Sequence, residues 1–200
     1  MKNSFVSIRR MRPDETGLPR EFLYQAIYLP AGTEPPPRWV VDLPELRVYT
    51  QGFGTRPGDF CLVAEVDGQV AGAAWSRIME DYGHIDDHTP SLALSLLPDY
   101  RGQGIGTRLL DRLLVLLQKQ GYQRVSLSVQ AENPALRLYQ RARFEMAETR
   151  GSEYLMAKDL TQTEQQENTD TAAGPSPGGC SSCVRYDDRV QKYTAASFTR

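Results

Sequence analysis

The chain has 200 residues, 40% of them hydrophobic, and a formal net charge of −2, which fits one globular domain with room for an appendage. This near-neutral charge gives no basic field for nucleic acid or an anionic membrane, and no segment approaches the roughly 20 apolar residues of a membrane span. The N-terminal residues lack the apolar run of a secretory signal, and the three cysteines form no disulfide framework, so we expect a cytoplasmic protein.

The first half of the chain predicts two helical segments and a hairpin. Residues 4–10 predict a strand, after which Pro13 and Asp14 open a helix with apolar residues at helical spacing. A proline-rich segment then leads to a helical turn or two in "PELRVYTQ", residues 44–51. Two β-rich runs within residues 59–79 are joined by Asp67-Gly68, a turn dipeptide that tolerates positive φ, and therefore predict a hairpin.

The second half alternates strands with helices. "SLALSLLP" predicts a strand ended by Pro98, and the apolar stripe that follows predicts a helix ending near Gly121. "QRVSLSV" predicts the next strand, "NPALRLYQRAR" a short helix with Asn133 as N-cap, and residues 144–148 and 154–158 two last strands. This order predicts an α/β (α+β) fold with a mixed sheet of about six to seven strands flanked by helices.

Near residue 161 the composition changes. Residues 1–160 form the predicted domain, whereas residues 161–200 are polar, small and rich in glycine and proline, and we expect a low-complexity, disordered tail. Cys180 and Cys183 in "CSSC" have the spacing of half a zinc site or of a redox pair, but in such a tail an incidental pair is the favoured interpretation.

Three glycines at alternate positions precede the long apolar helix: Gly102, Gly104 and Gly106. The first amides of a helix have no intrahelical acceptor, and with the helix dipole and the charge of Arg101 they suit a pyrophosphate. The loop lacks the Gly-Lys-Ser/Thr of a Walker motif and the third glycine of a dinucleotide fingerprint. Tight packing of the helix start is the structural alternative.

The pattern that does fit is Arg-x-x-Gly-x-Gly, Arg101 to Gly106, which resembles the acetyl-coenzyme A loop of the GCN5-related N-acetyltransferases. The preceding hairpin, the strand before the loop and "VSLSVQAENPALRLYQRARFE" after it resemble the same family in order, so that the likeness covers about residues 4–160. It implies an acyl-CoA N-acyltransferase fold with a splayed sheet, and acetyl-CoA as co-substrate. The residues implied to bind it are Leu96, Leu97, Arg101, Gly102, Gln103, Gly104, Ile105, Gly106, Thr107 and Asn133.

The resemblance also implies a catalytic acid, Tyr139, which would protonate the departing sulfur. From the bare sequence, a half-buried tyrosine on an amphipathic helix is the favoured interpretation, and only the family resemblance reverses it. A bulge near Ser95 to Leu97 is expected to free backbone N–H groups for the thioester. The general base stays open. Its candidates are Glu65, Glu80, Asp86, His84 and a water molecule.

The acceptor is expected to be a small-molecule or peptide amine, handled by a monomer or homodimer without a metal. His84 and His88 with the aspartates between them suggest a metal site only weakly, since no third strong ligand is suitably spaced. Trp39, Tyr49 and Phe53 are expected either to line an acceptor pocket or to cover the core. Two other classes of function remain, an acyl-CoA-binding module without catalysis and an interaction protein acting through the tail.

The sequence departs from the family pattern at Arg143, where the family often has glycine before a phenylalanine. A non-glycine residue in a left-handed cap there is expected to cost about 1 kcal/mol.

Removing residues 162–200 is expected to leave the domain's melting temperature within a few degrees of the parent value. The segment carries too little apolar surface to offset the entropy of ordering it. Calorimetry of a chain ending at Thr161 measures this, and a large drop would show that the segment packs on the domain.

Overall fold

A computed structural model of the chain describes residues 5–161. Residues 1–4 and 162–200 lie outside the described part, and with them Cys180, Cys183 and nearly all of the expected tail.

Seven strands form one mixed sheet, which confirms the predicted fold class. The strands are β1 (Val6–Arg10), β2 (Phe60–Val66), β3 (Gln69–Arg77), β4 (Ser91–Leu96), β5 (Arg124–Gln130), β6 (Glu145–Arg150) and β7 (Glu153–Asp159). Their order across the sheet is β1-β2-β3-β4-β5-β7-β6. Every neighbouring pair is antiparallel except β4 and β5 at the centre, which run parallel because the helix Ile105–Lys119 crosses over between them.

Four α-helices and three short 3₁₀ segments flank this sheet within residues 5–161. The helices are α1 (Leu18–Ala26), α2 (Pro44–Arg47), α3 (Ile105–Lys119) and α4 (Leu136–Arg141), and the 3₁₀ segments are Pro13–Glu15, Arg38–Asp42 and Pro98–Tyr100. The predicted first helix is therefore a 3₁₀ turn followed by α1. No helix in this part of the chain is long and apolar enough to span a membrane.

Each face of the sheet has its own apolar core. The α3 stripe of Leu109, Leu110, Leu113 and Leu117 packs on one face against strands β2, β4 and β5. On the other face α1, the second 3₁₀ segment and α2 cover Val63, Ala73 and Trp75. Because both faces are covered, strands β2 and β3 are mostly apolar along their length.

The two parallel strands meet at one point and then diverge. The only register pair between β4 and β5 is Ser91 with Ser126, so the sheet is open between them toward their C-terminal ends. The expected bulge near Ser95 to Leu97 is wrong. β4 pairs with β3 without a shift from Arg77↔Ser91 to Gly72↔Leu96, since the missing side chain of Gly72 leaves the space that Leu96 fills.

The turn and cap geometry follows the sequence closely. Asp67 and Gly68 both have positive φ (50° and 82°) between β2 and β3. The expected left-handed cap at Arg143 is confirmed, with φ of 60°. Asn133 is not the N-cap of α4, as was expected, because the helix begins only at Leu136. The Asn133 side chain instead caps the turn before the helix, where its Oδ1 accepts a hydrogen bond from the amide of Ala135 at 2.9 Å.

Arg143→Gly is expected to raise the melting temperature by about 1–4 °C. Relief of about 1–2 kcal/mol of left-handed strain exceeds the 0.4–1 kcal/mol of added unfolded-state entropy. Thermal unfolding measures the shift, with Arg141→Gly, inside α4, as the control that should destabilise. A fall in both variants would contradict this account of the cap.

Candidate active site

The glycine loop presents a run of unbonded amides at the start of α3. None of the backbone N–H groups from Gly102 to Thr107 donates a hydrogen bond within the described residues; the next amide, that of Arg108, bonds to the carbonyl of Gly104. The first turn of α3 carries no acidic side chain that could satisfy its positive end. The loop is thus built to receive an anion from solvent.

The three glycines have two different roles. Gly102 and Gly104 have φ of 73° and 77°, and a Cβ on either would meet nothing within 4 Å. They therefore permit the turn and keep its outer side clear. Gly106 faces inward, where a Cβ would lie 3.6 Å from Leu96 and 3.8 Å from Leu138. This close approach brings α4 beside the loop.

Arg101 is fixed beside the loop by two backbone carbonyls. Its Nε donates to the carbonyl of Leu96 at 3.0 Å, and one terminal nitrogen donates to Gln25 at 3.3 Å. Among the described residues no carboxylate pairs with its guanidinium. Its positive charge therefore remains available to an anion at the loop.

Even without a bulge, the end of β4 has a backbone N–H group directed into the gap between β4 and β5. The amide of Leu97 donates to the carbonyl of Ala71 on β3 at 2.9 Å. Because amides alternate in direction along an antiparallel pair, that of Leu96 is directed to the other side, where β5 has already diverged.

A cavity of about 160 Å³ lies between the diverging strands. It is bounded by β4, β5, α1, α2, α4 and the start of β7. Of the residues that the sequence suggested for the site, Tyr139, Asn133 and Tyr49 line it, whereas Phe53 lies in the core and Trp39 is exposed. The remaining suggested residues form the loop and strand end described above.

Tyr139 lies on α4 with its ring buried and its edge packed on Phe144, with 5.8 Å between ring centroids. Its hydroxyl makes no hydrogen bond within residues 5–161. Burial raises the pKa of this phenol to about 12, so it keeps its proton throughout the neutral range. The group can act as a proton donor, and its hydroxyl is not committed to another residue.

The suggested bases lie outside the cavity. Glu65 is paired with Arg9 at 2.6 Å on the outer strands, Glu80 and Asp86 are exposed, and the Nδ1 of His84 faces the carbonyl of Met79 at 3.0 Å. None of them is among the residues lining the cavity.

Two other carboxyl groups lie at the cavity. Glu153, at the start of β7, lines it, and burial raises the pKa of its carboxyl. Asp81 lies behind Tyr49. Burial raises its pKa as well, although Ser91 donates to it at 2.7 Å. Neither Glu153 nor Asp81 belongs to a sequence motif that would mark it as a site residue. Glu153 becomes a candidate only through the strand order, which places it opposite Gln130 on β5.

Arg77 holds the segment that carries Tyr49. Its fully buried guanidinium donates to the carbonyls of Val48, Gln51 and Gly52 and pairs with Asp59 at 2.7 Å. A buried charge with this many partners fixes the segment's position on β3. No local pattern indicates this role of Arg77, because its partners lie 18 to 29 residues away along the chain.

No cluster of three or more histidine, cysteine, aspartate or glutamate side chains suited to a metal occurs in residues 5–161. Cys61 is buried, and burial raises the pKa of its thiol to about 12, so it is an unreactive core residue.

Comparison with known proteins identifies the family. The family model described as the acetyltransferase (GNAT) family matches residues 24–144, more than half of the chain. The chain belongs to the GNAT family. The matched region runs from α1 to the end of α4, and so contains the glycine loop, the splayed strands and Tyr139.

Three similar proteins illustrate this membership. A mycothiol acetyltransferase of Clavibacter sepedonicus is 37% identical over 89 residues, 44% of this chain and 27% of that protein. Acetyltransferase SG1711 of Sodalis glossinidius is 37% identical over 93 residues, 46% of this chain and 61% of that protein. A putative acetyltransferase of Salmonella typhimurium, solved with its cofactor acetyl-CoA, has a TM-score of 0.54 at 18% identity, covering 80% of this chain and 96% of that one.

The similarities to curated proteins and to solved structures support different conclusions. The matched segments span only 27% to 61% of the two curated relatives' own length. The solved structure, at 18% identity, supports the fold of this GNAT member and not its acceptor.

Proposed function

We propose that this GNAT member transfers the acetyl group of acetyl-CoA to a primary amine of a small molecule or peptide. The observation that carries the proposal is the run of unbonded amides from Gly102 to Thr107, which opens beside a cavity containing a protonated tyrosine. The solved relative that contains acetyl-CoA supports the same co-substrate.

The loop would hold the pyrophosphate of acetyl-CoA. Amides from Gly102 onward and the guanidinium of Arg101 would bind its oxygens, and Gln103, Ile105 and Thr107 would contribute through the same backbone. The amide of Leu96 and the adjoining backbone of Leu97 would face the thioester arm in the splay. Asn133, at the cavity wall beside α4, would border the same arm.

The reaction follows from these positions. An ammonium first loses a proton, and the neutral amine attacks the thioester carbonyl, forming the C–N bond. Collapse of the tetrahedral intermediate breaks the C–S bond, and Tyr139 donates its proton to the sulfur. The nitrogen then gives up a second proton, which restores Tyr139 through solvent. Overall, an ammonium and acetyl-CoA give an amide, free CoA and one released proton.

A two-part experiment tests the proposal. Calorimetry measures binding of acetyl-CoA, and a thiol-reactive dye measures CoA release with a panel of polyamines, amino acids, aminoglycosides, monoamines and short peptides. Binding followed by amine-dependent thiol release is the expected result. Binding with no thiol release for any amine would instead indicate an acyl-CoA-binding module.

We place the reaction in the cytosol, in keeping with the low cysteine content.

A further inference from the structure

Within the described part of the chain, the lining of the cavity contains an acidic side chain and no basic one. Its lining residues are apolar, hydroxyl-bearing or amide side chains except for one carboxylate, that of Glu153. No lysine, arginine or histidine from residues 5–161 lines it. A ligand enclosed here would therefore meet one negative charge and no positive one.

Glu153 is directed at the cavity by its strand. It lies opposite Gln130 where β7 pairs with the end of β5, and it accepts a hydrogen bond from Ser128 at 3.3 Å. Burial raises the pKa of Glu153, and the nearby charge of Arg150 opposes that rise without cancelling it. The carboxylate lacks a full counter-ion in the cavity, and a cationic ligand would supply one.

Arg150 is a cation whose charge acts on the Glu153 carboxylate, but it is bonded to other groups. Two of its nitrogens donate to one oxygen of Glu148, at 2.9 and 2.7 Å, and a third donates to the carbonyl of Tyr82 at 3.2 Å. Arg150 also lies outside the cavity lining. It is therefore not placed to receive an anionic part of a ligand.

A second carboxyl group lies close to the cavity, behind its lining. Asp81 lies behind Tyr49, and one of its oxygens is buried without a hydrogen-bond partner among the described residues. Asp81 and Glu153 both raise the pKa of the Tyr49 phenol, which places Tyr49 in the field of both carboxyl groups. Tyr28, Tyr49 and Tyr82 line the cavity, and the face of a tyrosine ring attracts an organic cation.

We propose that Glu153 receives the ammonium of the acceptor, and that the acceptor is therefore a primary amine with no carboxylate beside its amino group. The inference rests on the acetyl transfer proposed above and names the class of amine that this site takes. From the same position Glu153 can accept the ammonium proton, so that the amine becomes a nucleophile within the splay.

Charge and size both support this class. The carboxylate of a free amino acid would lose its water in the cavity and meet Glu153 instead of a cation, which is strongly unfavourable. The cavity, at about 160 Å³, is smaller than the roughly 300–1,000 Å³ of pockets for drug-sized ligands, so only the amine end and a small body can be enclosed. Small monoamines and the amine ends of peptides share the required chemistry, and the experiment separates them.

The test compares acceptors that have the same body with and without a carboxylate. The pairs are 3-methylbutylamine with L-leucine and 2-phenylethylamine with L-phenylalanine. L-phenylalaninamide and a tripeptide amide beginning with phenylalanine represent peptide amine ends. Thiol release at saturating acetyl-CoA gives kcat/KM for each. We expect kcat/KM of each carboxylate-free acceptor to exceed that of its amino acid by at least about tenfold. The order of kcat/KM among the monoamine, the amide and the tripeptide then shows whether the acceptor is a small monoamine or the amine end of a peptide.

Variants tie the preference to Glu153. Glu153→Gln should lower kcat/KM for the preferred amine by at least about tenfold, through KM because the ammonium loses its partner and through kcat because it loses its proton acceptor. It should also reduce the ratio of kcat/KM between that amine and its amino acid. Glu153→Asp keeps the charge and should retain most of the preference. Glu80→Gln, an exposed glutamate outside the cavity, is the matched control and should behave as the parent. Acetyl-CoA affinity, measured by calorimetry, should be unchanged in all three.

Each outcome decides a different claim. If L-leucine or L-phenylalanine is acetylated as fast as its amine, or if Glu153→Gln keeps the parent preference, the inference is overturned while acetyl transfer stands. Polyamines and aminoglycosides also have no carboxylate beside an amino group, so the inference is supported if they are acetylated faster than the amino acids and Glu153→Gln removes that preference. If no amine of any class is acetylated, the proposed function itself fails, and the inference with it.

Discussion

Gly104→Val is expected to weaken acetyl-CoA binding by at least about tenfold. Gly104 is the N-cap of α3, and the space outside its Cα is clear for at least 4 Å, which is the approach that a pyrophosphate needs. Valine would fill that space and displace the phosphate from the amides that follow. The loss of even one charge-assisted hydrogen bond, worth about 1.5–3 kcal/mol, corresponds to about 10- to 150-fold in affinity.

The control must separate this obstruction from backbone strain. Valine at a φ of 77° is strained whatever lies nearby, so Gly104→Val should also lower the melting temperature. Gly121, beyond the other end of α3, has a φ of 88° and equally open surroundings. Gly121→Val therefore imposes comparable strain far from the loop. Calorimetry should show lost affinity only in Gly104→Val, and unchanged affinity there would remove the loop from the CoA site.

Local signals in the sequence were sufficient to predict the loop and helix that we propose to bind the co-substrate. Alternating glycines before an apolar stripe predict a loop and a helix start, and the structure has α3 beginning at Ile105 with Gly104 as its cap. Asp67-Gly68 and Arg143 were equally predictable, because their positive φ values depend on the few residues around them. Such features involve neighbours in sequence, so the printed chain contains the information they need.

The parts of the site that depend on distant pairing could not be predicted. The splay was expected only from the family resemblance. It comes from the divergence of β4 and β5 after Ser91 and Ser126, which no local pattern encodes, and the bulge expected in β4 is absent. Glu153 reaches the cavity only because β7 inserts between β5 and β6 in the sheet order. The suggested base Glu65 is instead held by Arg9 on β1, a contact across 56 residues.

Tyr139→Phe is expected to lower turnover by at least about tenfold without weakening acetyl-CoA binding. A thiolate that leaves without a proton is a poor leaving group near neutral pH, and a positioned proton donor typically contributes 10²–10⁴-fold. The phenylalanine keeps the ring and its edge-on contact with Phe144. Because the Tyr139 hydroxyl has no hydrogen-bond partner in residues 5–161, its removal leaves no buried group unsatisfied, and thermal stability should hardly change.

Tyr122→Phe is the matched control for this substitution. Tyr122 also packs edge-on against a phenylalanine, Phe60, at 6.1 Å, and burial raises the pKa of its phenol too, but it lies outside the cavity. Removal of its hydroxyl should leave turnover at the parent value. Single-turnover measurements of thiol release, made where chemistry limits the rate, compare the two variants. The pKa of about 12 keeps the Tyr139 phenol protonated throughout the neutral range, so loss of its proton cannot explain an unchanged rate. A parent rate in Tyr139→Phe would therefore make Tyr139 a packing residue, and a water molecule would have to be the acid.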